Sequence, residues 1–325
     1  MKGKKLLFRA DAGVRIGTGH VMRCLALAQA WQDAGGQAVF AMAGEPSSIE
    51  KRLHAENCPI EWIRDQPGSL GDANRTCELA RLHHAAWIIA DGYRFEAGYQ
   101  KGIVETGVPL LVLDDCGHSE YYWADLVLNQ NIYAAEPTYS RRERRTRLLL
   151  GTQFALLRRE FMKWRGRRRL PSKEVRNVLV TLGGSDPDGV TGTVIEALQR
   201  ILTSDMRAVV VVGGNNPHYS ALHQQGASGK GRIELKVNVS DMPALMAEVD
   251  LAISAAGSTC WELAFFGLPI CCTILADNQV QVAQCLESAG AAVNLGQGTA
   301  LGSQALAEQL AAIIANPDLR ARRFQ

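Results

Sequence analysis

The chain alternates short apolar runs with longer amphipathic stretches, and it does so twice. In the first half the runs are Leu6–Arg9, Ala38–Met42, Trp87–Asp91, Leu110–Asp114 and Leu126–Asn129. Short, nearly continuous apolar runs suit strands of a parallel sheet covered on both faces. After the first run, an Ala- and Leu-rich stretch predicts a helix from about Val21 to Asp33 that stops at Gly35-Gly36, a favourable C-terminal signal. The second half restarts with Val178–Thr181, Val209–Val212, Ile233–Val237, Leu251–Ser254 and Ile270–Ile274. Between the first two of these, Val190, Val194, Ile195, Leu198 and Ile201 fall on one helical face. Strands separated by helix-length segments read as βαβ units. With 325 residues, and roughly 100–200 residues per domain, two such domains are expected, residues 1–170 and 171–325. Two βαβ domains create a cleft, and ligands of open α/β sheets bind beyond the carboxyl ends of the strands.

Arginine-rich segments occupy residues 141–147 and 158–169, followed by Pro171-Ser172. They read as a solvated domain boundary, with an anion-attracting surface as the alternative. The composition is 47% hydrophobic and 21% charged, with 31 Gly and 11 Pro, which excludes disordered and collagen-like classes. No run reaches the roughly 18 apolar residues of a membrane span. The start, Met1-Lys2-Gly3-Lys4-Lys5, is followed by an apolar stretch that Arg9 and Asp11 interrupt, so no signal peptide and a cytoplasmic location are expected. Lys and Arg number 35 against 33 Asp and Glu, a balance that argues against a nucleic-acid binder. The eight cysteines form no C-x-x-C pair and read as buried thiols rather than a zinc or redox site. No metal and no cofactor are expected. The oligomeric state stays open.

Candidate chemistry follows the strands. After the first comes Gly17-Thr18-Gly19-His20-Val21-Met22-Arg23. Gly17 and Gly19 permit tight turning and close approach to a ligand. A dinucleotide fingerprint would need a third glycine near Met22 and an acid after the second strand, where Ala41-Met42-Ala43-Gly44 stands; a Walker lysine is also missing. His20 opens the helix, whose positive end disfavours imidazolium and so holds the ring neutral as a proton acceptor; helix capping is the bland alternative. Asp91-Gly92-Tyr93, Asp114-Asp115 and Asn129-Gln130-Asn131 follow three other strands, either converging with His20 or serving as turns. His54, His83, His84, His118, His218 and His223 are assigned no role. In the second half, Gly183-Gly184-Ser185-Asp186 and Gly257-Ser258-Thr259 each follow a strand and precede a helix, and Glu262 lies one turn inside the second. Two glycine loops for phosphates and an acid for a ribose suggest a nucleoside diphosphate; ordinary βα turns are the alternative.

From Val239-Ser240-Asp241-Met242 through Asp250, Ser254 to Glu262, Gly267-Leu268-Pro269, Asn278-Gln279 and Ser288 to Ala292, the second half resembles the donor domain of two-domain GT-B enzymes, notably the lipid II-forming GlcNAc transferase. The resemblance implies an α/β fold with two Rossmann-like domains whose parallel sheets face across a cleft. It puts Val239 against uracil, Glu262 on the ribose, Gly257, Ser258 and Thr259 at the diphosphate, and Asn278 and Gln279 facing the sugar. Arg9-x-Asp11, Gly17-x-Gly19-His20-x-x-Arg23, Asp91-x-Tyr93, Asp114-Asp115, Asp125-Leu126 to Asn131, and Leu150-Gly151 with Ala155 to Arg158 are similar to the UDP-2,4-diacetamido-2,4,6-trideoxy-β-L-altropyranose hydrolases of pseudaminic acid synthesis. This likeness covers nearly the whole chain. It implies His20 as general base, Tyr93 near the sugar, and a product destined for surface glycans such as those of flagella. Trp261 and His118 depart from the family pattern.

The expected reaction is hydrolysis of a UDP-sugar with inversion at the anomeric carbon. Asp11 would orient His20 or its loop. Gly17, Gly19, Arg23, Asn131, Gly183, Gly184 and Ser185 would line the substrate. The competing readings are a UDP-sugar-dependent glycosyltransferase, a UDP-sugar epimerase and a nucleotide-sugar binding protein. The partner in each is a small molecule, with no nucleic acid and no stable membrane insertion.

Overall fold

The computed structural model describes residues 2–13, 16–44, 48–167, 169, 172–184, 186–214, 216–228 and 231–322. The chain divides into two compact units, Met1–Arg159 and Glu160–Gln325. The first holds β1 (Lys5–Ala10), β2 (Gln37–Ala43), β3 (Ile60–Ile63), β4 (Ala85–Asp91), β5 (Leu110–Leu113), β6 (Leu126–Asn129) and β7 (Arg147–Leu150). Its sheet runs β3-β2-β1-β4-β5-β6-β7, with every pair parallel. The second holds β8 (Asn177–Thr181), β9 (Arg207–Val212), β10 (Ile233–Val237), β11 (Leu251–Ala255), β12 (Ile270–Ile274) and β13 (Val293–Gln297). That sheet runs β10-β9-β8-β11-β12-β13, again parallel throughout. Each unit is therefore Rossmann-like: strand order reverses beside the first strand, and the loops after that strand and the fourth meet at the switch point.

The apolar runs are continuous because both faces of each sheet are covered. Leu7, Val39, Ile88, Val112 and Val127 face one cluster of the first unit, and Leu6, Phe8, Phe40, Ile89 and Leu113 the other. Arg9, inside β1, interrupts this pattern. Arg9 is fully buried, and its guanidinium binds Asp72 through Nε (2.8 Å) and a terminal nitrogen (3.0 Å) and Asp11 at 2.5 Å. A buried ion is tolerated only when paired in this way.

Three strands were not legible in the apolar pattern: β3, β7 and β13. All three are sheet edges. An edge strand has one neighbour and a partly wet surface, so it carries Glu61, Arg147 or Asn294 among its apolar residues. The arginine run at 141–147 accordingly leads into β7 rather than forming a linker. Arg142 binds Glu136 at 2.6 Å.

The second arginine-rich segment divides between the units, eleven residues before the expected boundary at 170/171. Arg159 is tied to the helix Gly19–Asp33 by its amide to Gln29 Oε1 (2.8 Å) and its guanidinium to Asp33 (2.8 Å). Phe161 is fully buried, with its ring 6.1 Å from Phe265 and 6.0 Å from Phe266 in the second unit. Aromatic packing, which a charge-based reading overlooks, attaches this stretch. Pro171 lies outside the described residues.

Candidate active site and nucleotide loops

In the first unit, β1, β4, β5 and β6 are consecutive neighbours. Parallel pairing brings their carboxyl ends to one edge, and Ala10 sits beside Asp91 in the register. The β1 loop closes on itself, with the Gly13 and Gly17 amides each donating to the other's carbonyl (3.1 and 2.8 Å) and Gly17 at φ +69°. Only glycine takes that conformation without strain. Gly19 then opens the helix Gly19–Asp33.

His20 Nδ1 lies 2.6 Å from Asp91 Oδ1. Arg23, one turn along the helix, clamps the same carboxylate through two nitrogens at 2.6 and 2.7 Å. Asp91 is buried, which alone would raise its pKa, but Arg23 and then His20 outweigh that and hold the carboxyl well below the usual range. An ionised carboxylate can only accept. Nδ1 of His20 therefore donates to Asp91, which leaves Nε2 as the candidate basic nitrogen. Asp91 is placed to stabilise the ring when it takes a proton.

Arg23 continues to Asp115 at 2.5 Å. Tyr93 donates its hydroxyl to Asp115 at 2.9 Å, and Asn131 donates its amide at 3.1 Å. The Tyr93 ring stands edge-on to His20, with centroids 5.1 Å apart. His20, Arg23, Tyr93 and Asn131 are thus joined through Asp91 and Asp115. Gln130 is engaged elsewhere, accepting from the Leu156 amide at 2.9 Å.

Asp11 does not reach His20. Its Oδ1 is taken by Arg9 and by the Ala43 amide at 2.6 Å, so it ties β1 to the end of β2. The residue that holds His20 is Asp91. Asp11 neighbours His20 in sequence, whereas Asp91 neighbours it across the sheet, and only pairing of β1 with β4 reveals that. His118 is a residue the sequence left unassigned. It sits 3.1 Å from Asp114, four residues earlier, and edge-on to Tyr93 at 5.9 Å. An Asp and a His four apart after a strand was the available signal.

In the second unit the expected residues also follow the carboxyl ends of strands. Gly183 (φ +90°) and Gly184 follow β8, while Ser185 lies outside the described residues. The loop after β9 presses against them: a Cβ on Gly213 would stand 2.1 Å from the Gly184 carbonyl oxygen. Gly213→Ala is expected to displace this loop at a cost of about 1–3 kcal/mol, the usual scale of overpacking. Thermal unfolding of the variant measures it, and an unchanged Tm would contradict the close approach.

The helix Val190–Ile201 offers no anion site at its start. Asp186 accepts from the Val190 amide (3.0 Å) and the Thr191 amide (2.7 Å), so a carboxylate of the chain already fills that position. A phosphate reading of this loop rests on the Gly183–Gly184 backbone alone. Gly257 and Ser258 follow β11 and lead into the helix Thr259–Phe265, which carries half-buried Glu262 in its first turn. The Gly257 amide donates to Ala255 O at 2.8 Å. A Cβ on Gly257 would come within 4.0 Å of Gln279 Nε2, so those two residues lie near each other. Gln279 also accepts from the Leu275 amide at 2.9 Å. Asn278 is exposed beside it in the turn Asp277–Gln279, and half-buried Val239 follows β10. Trp261 is buried and packs inward, away from any solvent-facing role.

Residues 177–323 match the glycosyltransferase family 28 C-terminal domain. The chain is 26% identical to an uncharacterized protein of Methanocaldococcus jannaschii over 85% of this chain and 56% of the relative. It is 27% identical to the spore coat polysaccharide biosynthesis protein SpsG of Bacillus subtilis over 66% of this chain and 63% of the relative. These two matches span less than two thirds of the relatives' own lengths. The UDP-2,4-diacetamido-2,4,6-trideoxy-β-L-altropyranose hydrolase of Campylobacter jejuni is 25% identical over 78% of this chain and 85% of the relative. Among solved structures, Acinetobacter baumannii MurG superposes with a TM-score of 0.61 at 17% identity, covering 99% of this chain and 95% of that one. Anabaena HepE in complex with UDP and glucose gives 0.60 at 19% identity, covering 99% and 93%. The fold is therefore GT-B type, α/β with two Rossmann-like domains. Among the described residues no helix is long and apolar enough to cross a membrane.

Proposed function

We propose that this chain is a UDP-sugar-processing enzyme of the GT-B class, and that it hydrolyses the anomeric C–O bond of a UDP-linked diacetamido-trideoxy sugar. UDP and the free 2,4-diacetamido-2,4,6-trideoxy altrose are the products, the latter a precursor for pseudaminic acid. The observation that carries the reading is the His20–Asp91 pair, 2.6 Å apart, with Arg23 keeping Asp91 ionised. A neutral imidazole whose far nitrogen is fixed by a carboxylate is a base oriented to take one proton. The similarity to the Campylobacter jejuni hydrolase supports the choice of substrate, since it extends over both halves of the chain.

In this reading a water oxygen attacks the anomeric carbon while His20 Nε2 takes its proton. The C–O bond to UDP breaks, and its electron pair leaves on the terminal phosphate oxygen. The anomeric centre inverts. Asp91 meets the charge that develops on His20. Tyr93, with Asp115 and Asn131 behind it, contacts the sugar. Gly183 and Gly184, and Ser258 with Thr259, donate backbone hydrogen bonds to the diphosphate. Glu262 takes the ribose hydroxyls, Val239 the uracil, and Asn278 with Gln279 the sugar.

A glycosyltransferase is the second reading, favoured by the family 28 match over residues 177–323. There His20 would deprotonate an acceptor hydroxyl in place of water. Reaction of the altrose-type UDP-sugar in ¹⁸O-water separates the two. The hydrolase predicts label in the released sugar and none in UDP. Label in UDP means attack at phosphorus and overturns the role given to His20. Release of UDP only when a sugar or lipid acceptor is added establishes the transferase instead.

A further inference from the structure

His118 lies in the turn after β5 and takes no part in the reaction above. Its side chain is only 9% exposed, and its Nδ1 stands 3.1 Å from Asp114 Oδ2. Both ring nitrogens are buried, and neither makes a well-aligned hydrogen bond. The ring meets Tyr93 edge-on at 5.9 Å and Tyr122 edge-on at 6.4 Å. Tyr93 meets His20 in the same manner at 5.1 Å. One tyrosine ring therefore touches two imidazoles.

The surroundings favour a charged ring. Asp114 and Asp115 come from the same turn, Tyr93 from the loop after β4, and Tyr122 from the segment before β6. Arg23 reaches Asp115 from the helix Gly19–Asp33. Asp114 is itself built in, accepting from the Cys116 amide (2.7 Å), the Gly117 amide (2.8 Å) and the Tyr122 hydroxyl. Burial works against charge on His118, but Asp114, the Phe95 carbonyl and Asp115 outweigh it and raise its pKa above 6.5. A buried neutral ring would leave a nitrogen lone pair among acceptors, whereas the imidazolium is a donor at both nitrogens.

We propose that His118 is a positioning residue for the His20 site: as an imidazolium held by Asp114 it fixes the Tyr93 ring against His20, and loss of its proton releases Tyr93. The effect on turnover rests on the hydrolase reading; the coupling between the two histidines does not. Two consequences follow from the sign of the shift. A histidine whose folded pKa is raised stabilises the fold fully below its unfolded value, and that contribution disappears as pH rises through the folded value. Turnover falls over the same interval.

The test titrates full-length protein with ¹³Cε1-labelled histidine from about pH 5 to about pH 9, with His20→Asn and His118→Gln assigning the two signals by NMR. The expected result is a His118 midpoint above that of ordinary histidines and an inflection in the His20 signal at that same pH, absent from His118→Gln. Heat unfolding of the wild type should weaken through that midpoint, and that of His118→Gln should not. With the altrose-type UDP-sugar, kcat should fall about tenfold across the midpoint with KM little changed. His118→Arg, which cannot lose its charge, should keep kcat through that interval. A His118 signal that titrates at or below the ordinary value, or a His20 signal that ignores the His118 midpoint, overturns the proposal. If the UDP-sugar is not hydrolysed at all, the hydrolase reading fails while the NMR and unfolding results still decide the role of His118.

Discussion

His20→Asn should lower turnover of the UDP-sugar by about 10²–10⁴-fold, the scale on which positioned general bases act, while UDP affinity stays within about threefold. The asparagine amide retains a donor that Asp91 can accept, so the carboxylate 2.6 Å from His20 Nδ1 keeps a partner and the loop keeps its shape. What is lost is the basic nitrogen. Because that nitrogen acts only as the proton moves, the loss belongs in kcat, with KM nearly constant. Steady-state kinetics with the altrose-type UDP-sugar, beside calorimetric titration with UDP, read the two quantities separately. A variant that turns over within about threefold of wild type removes His20 from the chemistry.

Arg23→Met should strongly destabilise the first unit. Arg23 is 8% exposed and serves Asp91 and Asp115 together. Removing one partner of a buried ion pair strands the other charge, at a cost of about 3–5 kcal/mol. Four of the six tryptophans, Trp31, Trp62, Trp87 and Trp123, lie in this unit, so urea unfolding followed by their fluorescence reports on it. The pH dependence carries the diagnosis. In the wild type Asp91 is depressed below 3.8, so its contribution is present above that pH and lost only as pH falls through the folded value. Without Arg23, the largest influence lowering its pKa is gone and burial drives it up. Protonation then relieves the stranded charge, and the gap between variant and wild type should narrow as the pH is lowered. A gap that is below about 1 kcal/mol, the level of exposed pairs, at neutral pH would show that Asp91 and Asp115 are not held by Arg23.

The candidate site divides by the range of the contacts that build it. His20 stands out as a candidate because its signal is local: two glycines, a strand before and a helix after. Arg23 is legible as the next turn of the same helix. Tyr93 and Asn131 were recognisable as residues following strands, but not as partners. Asp115 joins them; in the sequence it stands equally for a converging residue or a turn, and only the contacts of Arg23, Tyr93 and Asn131 decide. The exchange of Asp11 for Asp91 has the same origin. Proximity in sequence suggested Asp11, but Arg9, an ion inside the sheet, claims it. Asp186 likewise looked like part of a phosphate loop until its carboxylate was found on the Val190 and Thr191 amides.

By itself the sequence determined the architecture, since a strand buried on both faces must be apolar along its length and a helix over it apolar on one side. These are short-range rules, and ten strands and the restart at β8 obey them. It also singled out candidate loops, because glycine and acid at the carboxyl end of a strand mark the edge where open α/β sheets bind ligands. Three of the four edge strands, the point where one unit gives way to the next, and the long-range partners of the buried charges were decided only in three dimensions. An edge strand is stabilised by a neighbour rather than by its own pattern, and a buried carboxylate takes whichever donor the register of β1 against β4 delivers. Asp91 lies 71 positions from His20 along the chain and one hydrogen bond away across the sheet.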